Sequence, residues 1–190
     1  ELHNTHHTYP NSAKLSVKKW EFDMGWLWIR LFSLLGLAEV RRTAPIAHRV
    51  EGKQTLDMDT AMAILNNRFQ IMAQYRKLVI KPAVRSELAR MDESVRHLFR
   101  RAKRLLSRET SLLDDRHQAR IQTMLEHSQA LKVIYEKRLA LQQIWGRTSA
   151  NSHEMLQALK DWCNQAEESG IKALQEFADS LRTYSLRPAS

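Results

Sequence analysis

Three histidines fall within the first seven residues, in the string HNTHH: His3, His6 and His7. Their spacing of i, i+3 and i+4 sets three imidazoles on one face of a helix, one turn apart and able to converge on a metal ion. Neutral imidazole suits iron, zinc or copper, and spacing does not choose among them. The set is incomplete as a site, because the other histidines (His48, His97, His117, His127 and His153) are scattered singly and read as surface or helix-face residues. Cys163 is the one cysteine. It rules out an internal disulfide framework, suits a reducing compartment, and has no neighbouring base to make it a nucleophile.

The elements that must carry these groups are helical. The 190 residues hold only 5 Gly and 4 Pro, and Leu, Ala, Arg, Gln and Glu are abundant, which predicts an all-α protein. A short histidine and interfacial-helix segment is expected over 1–45, then a linker over 46–56 with Pro45 and Gly52 about it. An antiparallel bundle of four to five helices is expected over 57–190. No apolar run reaches the roughly 20 residues a membrane-spanning helix needs. The stretch DMGWLWIRLFSLLGLAEV, with Arg41 and Arg42 beyond it, suits either a helix in a membrane interface or a buried helix of a soluble core.

Within the second part, Asp57 or Asp59 can cap a helix on which Leu65, Phe69, Met72 and Val79 share a face, and Pro82 ends or kinks it. Val84, Leu88, Met91, Val95, Leu98, Ala102 and Leu105 then alternate in steps of 4 and 3, a heptad stripe predicting one long helix packed along another. Asp114 or Asp115 can cap the next helix, which is expected to run to about Trp145 with Leu131, Ile134, Leu141 and Trp145 inward. Asn151 with Glu154 resembles a capping box. Gly170 predicts a helix C-terminus between the stripes Met155, Leu159, Trp162, Ala166 and Ile171, Leu174, Ala178, Leu181.

ELHNTHHTYPNSAKLS and the following KKWEFDMGWLWIRLFSLLGLA resemble the third histidine box and succeeding segment of membrane fatty-acyl desaturases, bacterial acyl-CoA delta-9 types above all. The resemblance covers residues 1 to about 45. It implies His3, His6 and His7 as ligands of a di-iron centre, two further histidine boxes, and placement at the cytoplasmic face of a bacterial inner membrane. It also implies an acyl-CoA or other acyl substrate, dioxygen, and an electron donor of ferredoxin or cytochrome type. The chain opens at Glu1, inside the motif, and so reads as the C-terminal portion of a longer enzyme, inactive by itself.

LKVIYEKRLALQQIWGR and LQALKDWCNQAEESGIKALQEFADSLRTY, about residues 131–184, are similar to the C-terminal helical region of insertion-sequence transposases. In those enzymes three acidic residues hold metal, and no strand-borne acidic triad can be placed here. This resemblance implies, as the alternative to the desaturase reading, a nucleic-acid-binding helical module; a scaffold for self-association is the blander reading. The net charge of +9 favours anionic partners. Arg96, Arg100, Arg101, Lys103, Arg104 and Arg108 crowd one predicted helix. They are compatible with nucleic-acid phosphates, with anionic lipid headgroups at a membrane surface, or with a solvated helix face.

Overall fold

The computed structural model describes residues 23–40, 46–99, 101–108, 114–146 and 152–187. The three expected metal ligands His3, His6 and His7 lie outside the described residues, as do Arg41, Arg42, Arg100 and Asn151. The fold is all-α, with one two-stranded ribbon among the described residues.

Helix α1, Met24–Leu34, is closed at both ends by its own sequence. The Asp23 carboxylate accepts from the Trp26 amide at 2.9 Å, so one otherwise orphaned N–H is satisfied. At the other end Gly36 takes φ +70. The Leu37 amide donates to the Phe32 carbonyl at 2.8 Å and the Gly36 amide to Ser33 at 3.1 Å, the paired bonds of a Schellman stop. No residue of α1 is buried, so the soluble-core alternative is not met among the described residues.

The stretch expected as a linker carries a strand. β1, Ile46–Arg49, pairs antiparallel with β2, Tyr184–Arg187, setting Ile46 opposite Arg187 and Arg49 opposite Tyr184. Helix α2, Met58–Asn66, starts where Asp57 accepts from the Thr60 amide and hydroxyl, both at 2.8 Å. Asp59, the other candidate cap, instead turns to the ribbon and accepts from the Ser185 hydroxyl and the Leu186 amide. The Lys53 ammonium bridges Asp57 at 3.0 Å and donates to the Tyr184 carbonyl. The ribbon is thereby tied to the start of α2.

Helix α3 (Arg68–Tyr75), a π turn (Arg76–Ile80) and α4 (Lys81–Arg90) follow without a break. The helix therefore runs through Pro82 instead of ending there. Proline cannot donate to the carbonyl four residues back and its ring crowds that carbonyl. The wider π turn just before it relieves both problems, the Lys81 amide donating to Arg76 five residues back. Phe69 departs from its expected inward face and is 57% exposed. The buried face runs through Ala61, Ile64, Ile71, Tyr75 and Val79, in one helical register across the break at Asn67, and Phe69 falls off that face.

The predicted heptad helix over 84–105 is broken. Met91 is extended at φ −87, ψ 144; α5 (Glu93–Arg96), a 3₁₀ turn (His97–Phe99) and α6 (Ala102–Leu105) follow. Asp92 begins the new turn, its carbonyl accepting from Val95 and Arg96. Because the chain changes direction, Phe99 and Leu106 reach the core beside Val84, Ala102 and Leu105.

Helix α7, Asp115–Glu126, is capped by Asp114, which accepts from the His117 amide at 2.8 Å. A break at His127 and Ser128 separates it from α8, Gln129–Gly146, where one helix was expected. Leu131, Ile134, Leu141 and Trp145 are buried as their spacing predicts. Helices α9 (Ser152–Glu168) and α10 (Lys172–Arg182) meet at Gly170, whose φ of +67 ends α9 as expected.

Three rings from three helices occupy the centre of the core. Tyr75 lies edge-on to Phe177 at 5.0 Å and to Trp162 at 6.5 Å, and Trp162 meets Phe177 at 6.0 Å. Both polar tips are satisfied: the Tyr75 hydroxyl donates to the Ile134 carbonyl at 2.7 Å and the Trp162 indole to Lys137 at 2.8 Å. Edge-to-face pairs of this kind add to the burial of the rings. Burial pushes the Tyr75 hydroxyl well above the usual phenol range.

Candidate functional site

The basic residues singled out from the sequence are spread over two short helices and the turns between them. Arg96 is exposed at the end of α5, donating to the Met91 carbonyl at 3.2 Å. Arg101 precedes α6, and Lys103 and Arg104 lie on it; all three side chains are exposed. Arg108 is half-buried. Buried Ala102, Leu105 and Leu106 anchor the segment, and Arg96, Arg101, Lys103 and Arg104 face water. Cys163 is fully buried, and desolvation pushes its thiol up to about 12. It is held as a neutral thiol in the core.

Sequence reasoning missed a cleft of about 480 Å³ that adjoins this basic segment. One wall is the face of α3 and its π turn that carries Arg68, Phe69, Met72, Ala73, Arg76 and Ile80. The facing wall is α8 through Arg138, Gln142, Trp145 and Gly146, and Ser107 closes one side. Both sets recur at helical spacing, so each wall is a single helix face. The described residues lining the cleft include three arginines and no carboxylate.

Arg138 ties the cleft to the basic segment. Its side chain is 2% exposed, and its guanidinium donates to the carbonyls of Ser107 at 3.2 Å and Arg108 at 2.8 Å. Those bonds fix the backbone just past α6 against α8. The signal was present in the sequence: Leu131, Ile134, Arg138, Leu141 and Trp145 keep steps of 3 and 4, so an arginine occupies a position of the buried stripe. A charge is rarely placed there without a polar setting to receive it. Arg68 stands over the Phe69 ring, 5.0 Å from its centre. Neither Arg68 nor Arg76 meets a carboxylate among the described residues.

Among the described residues no group of three His, Cys, Asp or Glu side chains could hold a metal ion, and no helix is long and apolar enough to cross a membrane.

Residues 58–187 match the ISL3 transposase family, described as "Transposase". The chain is 32% identical over 124 residues to the transposase for insertion sequence element IS1001 of Bordetella parapertussis, covering 64% of this chain and 30% of that protein. It is also 46% identical over 43 residues to the sn-2 palmitoyl-lipid 9-desaturase of Nostoc sp. (strain 36), 23% of this chain and 15% of that protein. Over 36 residues it is 47% identical to the Delta-9 desaturase-like 5 protein of Arabidopsis thaliana, 19% of this chain and 12% of that protein. The chain thus spans less than a third of the length of each of these relatives. No solved structure matches it.

Proposed function

The chain belongs, through residues 58–187, to the ISL3 transposase family, and on that premise we propose that its helical part is a transposase-derived nucleic-acid-binding module. The observation that carries this reading is the extent of the match. It begins at the first residue of α2 and ends at the last of β2, so the family resemblance and the folded bundle coincide. The exposed Arg96, Arg101, Lys103 and Arg104 supply the positive surface that phosphates require. Contacts of this kind release condensed counterions and bind without regard to sequence.

Binding of a labelled DNA duplex by the full chain, measured across a salt series, tests the reading. If these four cations each neutralise a phosphate, log affinity falls against log salt with a slope of about −3 to −4. The triple variant R101A/K103A/R104A is expected to weaken binding and flatten that slope by about 3. No binding even at low salt would reject the module.

A second reading concerns the other end of the chain and is favoured by the two desaturase relatives and by HNTHH with WEFDMGW. In it, residues 1–45 are the C-terminal end of an iron-dependent, oxygen-dependent acyl desaturase at a membrane surface. His3, His6 and His7 would serve as ligands, and the iron would supply the oxidising chemistry on an acyl chain. Both readings can hold for one polypeptide, since they occupy different residues. Sequence upstream of Glu1 tests this one: two more histidine boxes and membrane-spanning segments are expected, and their absence from a longer reading frame would remove it.

A further inference from the structure

The cleft between α3 and α8 combines cationic groups with an exposed aromatic face, in a hollow of about 480 Å³, the size of a small-ligand site. A bare phosphate needs only the cations. Phe69 is 57% exposed on the same wall as Arg68 and Arg76, with the Arg68 guanidinium over its ring at 5.0 Å, which leaves ring surface open to a further flat group. Arg68 is half-buried and Arg76 exposed, and neither has a carboxylate partner among the described residues. Arg138, fixed by the carbonyls of Ser107 and Arg108, adds positive charge to the floor. Those same carbonyls join the cleft to the exposed cations of α6. The basic surface therefore leads into a hollow with an aromatic side, the arrangement by which proteins track a single strand and stack its bases.

We propose that this cleft is a nucleotide site, in which Arg68 and Arg76 take a phosphate and the Phe69 ring stacks on the base. The nucleotide is either one residue of a single strand or a free nucleotide. The inference rests on the nucleic-acid reading only for the first of these sources. Guanidinium groups suit the phosphate because they offer a planar fork of donors at a permanent charge.

The test uses the full chain and four probes: a labelled oligothymidylate 12-mer, adenosine 5′-monophosphate, inorganic phosphate, and phosphatidylglycerol vesicles. Three variants are compared with the parent: R68A/R76A, F69A and K103A/R104A, each checked for an unchanged helical circular dichroism spectrum. R68A/R76A is expected to lose at least about tenfold in affinity for the 12-mer and for the monophosphate, as the loss of charge-assisted hydrogen bonds implies. F69A should lose about fivefold or more for both, the scale of one stacking contact. K103A/R104A should weaken the 12-mer alone, since those side chains lie outside the cleft.

Parent-like affinity of R68A/R76A for both nucleotide probes overturns the proposal, even if duplex binding elsewhere persists. Inorganic phosphate competing as well as the monophosphate overturns it too, because the base would then contribute nothing. So does binding confined to vesicles. Monophosphate binding that needs Arg68 and Arg76, in a chain that binds no nucleic acid, would uphold the cleft while rejecting the nucleic-acid module.

Discussion

Helices α1 and α10 are both 11 residues long, and the one richer in apolar residues is the one that stays exposed. In α1, MGWLWIRLFSL, apolar side chains run round the whole circumference, and none is buried. In α10, KALQEFADSLR, Leu174, Phe177, Ala178 and Leu181 fall at i, i+3, i+4 and i+7, and all four are completely buried. A bundle covers one stripe of each helix, so the periodicity of apolar residues decides their burial here and their number does not. Helix α1 is well specified locally, with a cap at Asp23 and a stop at Gly36, yet its side chains add nothing to the core. The α10 stripe holds the bundle together.

The substitution expected to have the largest effect is at the centre of that stripe. Phe177→Ala removes a completely buried ring that meets both Tyr75 and Trp162. The expected loss is about 3–5 kcal/mol in urea unfolding, combining lost burial with the cavity left behind. A loss below about 1 kcal/mol, within the range of an ordinary substitution, would show that these rings are not the centre of the core.

The same contrast explains what could be seen in the sequence. Helix boundaries were legible to within a residue or two: of the candidates Asp57 or Asp59 and Asp114 or Asp115 the first of each pair caps its helix, and Gly170 ends α9. The buried faces of α8, α9 and α10 were legible too. The break at Met91 was not, because steps of 3 and 4 continue across it, and the break at His127–Ser128 carries no Gly or Pro to mark it. The pairing of β1 with β2 had no local signal either, since four-residue strands from distant parts of the chain meet only once the bundle forms. As for the cleft, its arginines come from α3, the π turn and α8. Only Arg138, in a buried register, betrayed it. The expected ligands His3, His6 and His7 depend on residues outside the described structure.

An intermediate effect is expected where α2 begins. Asp57 is partly desolvated, which works against its charge, but hydrogen bonds from the Thr60 amide and hydroxyl and from Lys53 outweigh this and hold its carboxyl at about 2, against an ordinary 3.8. A carboxyl lowered on folding contributes stability that is fully present above its unfolded value and is lost as pH falls through its folded value. Asp57→Ala should cost about 1 kcal/mol near neutral pH, the usual worth of an N-cap. Asp57→Asn keeps an acceptor for the Thr60 amide but does not titrate. The difference in stability between the parent and this variant should shrink as pH drops from about 4 toward 2. A difference that stays constant across that window would mean that the Asp57 charge has no part in holding the cap.

The smallest expected effect sharpens the comparison most. Leu34 ends α1 and is 80% exposed, whereas Leu174 on α10 is fully buried. Leu34→Ala removes carbon that is already in water and keeps a strong helix former, so the urea midpoint of the full chain should move by no more than about 0.5 kcal/mol in equivalent stability. Leu174→Ala, the same chemical change in the buried stripe, should cost about 2–5 kcal/mol. If Leu34→Ala proved as costly as Leu174→Ala, α1 would be folding against a surface of this chain, and its exposed apolar circumference would have to be read as a second core. If the two differ as expected, burial follows the stripe, and α1 is a helix whose stability comes from its caps and not from the bundle.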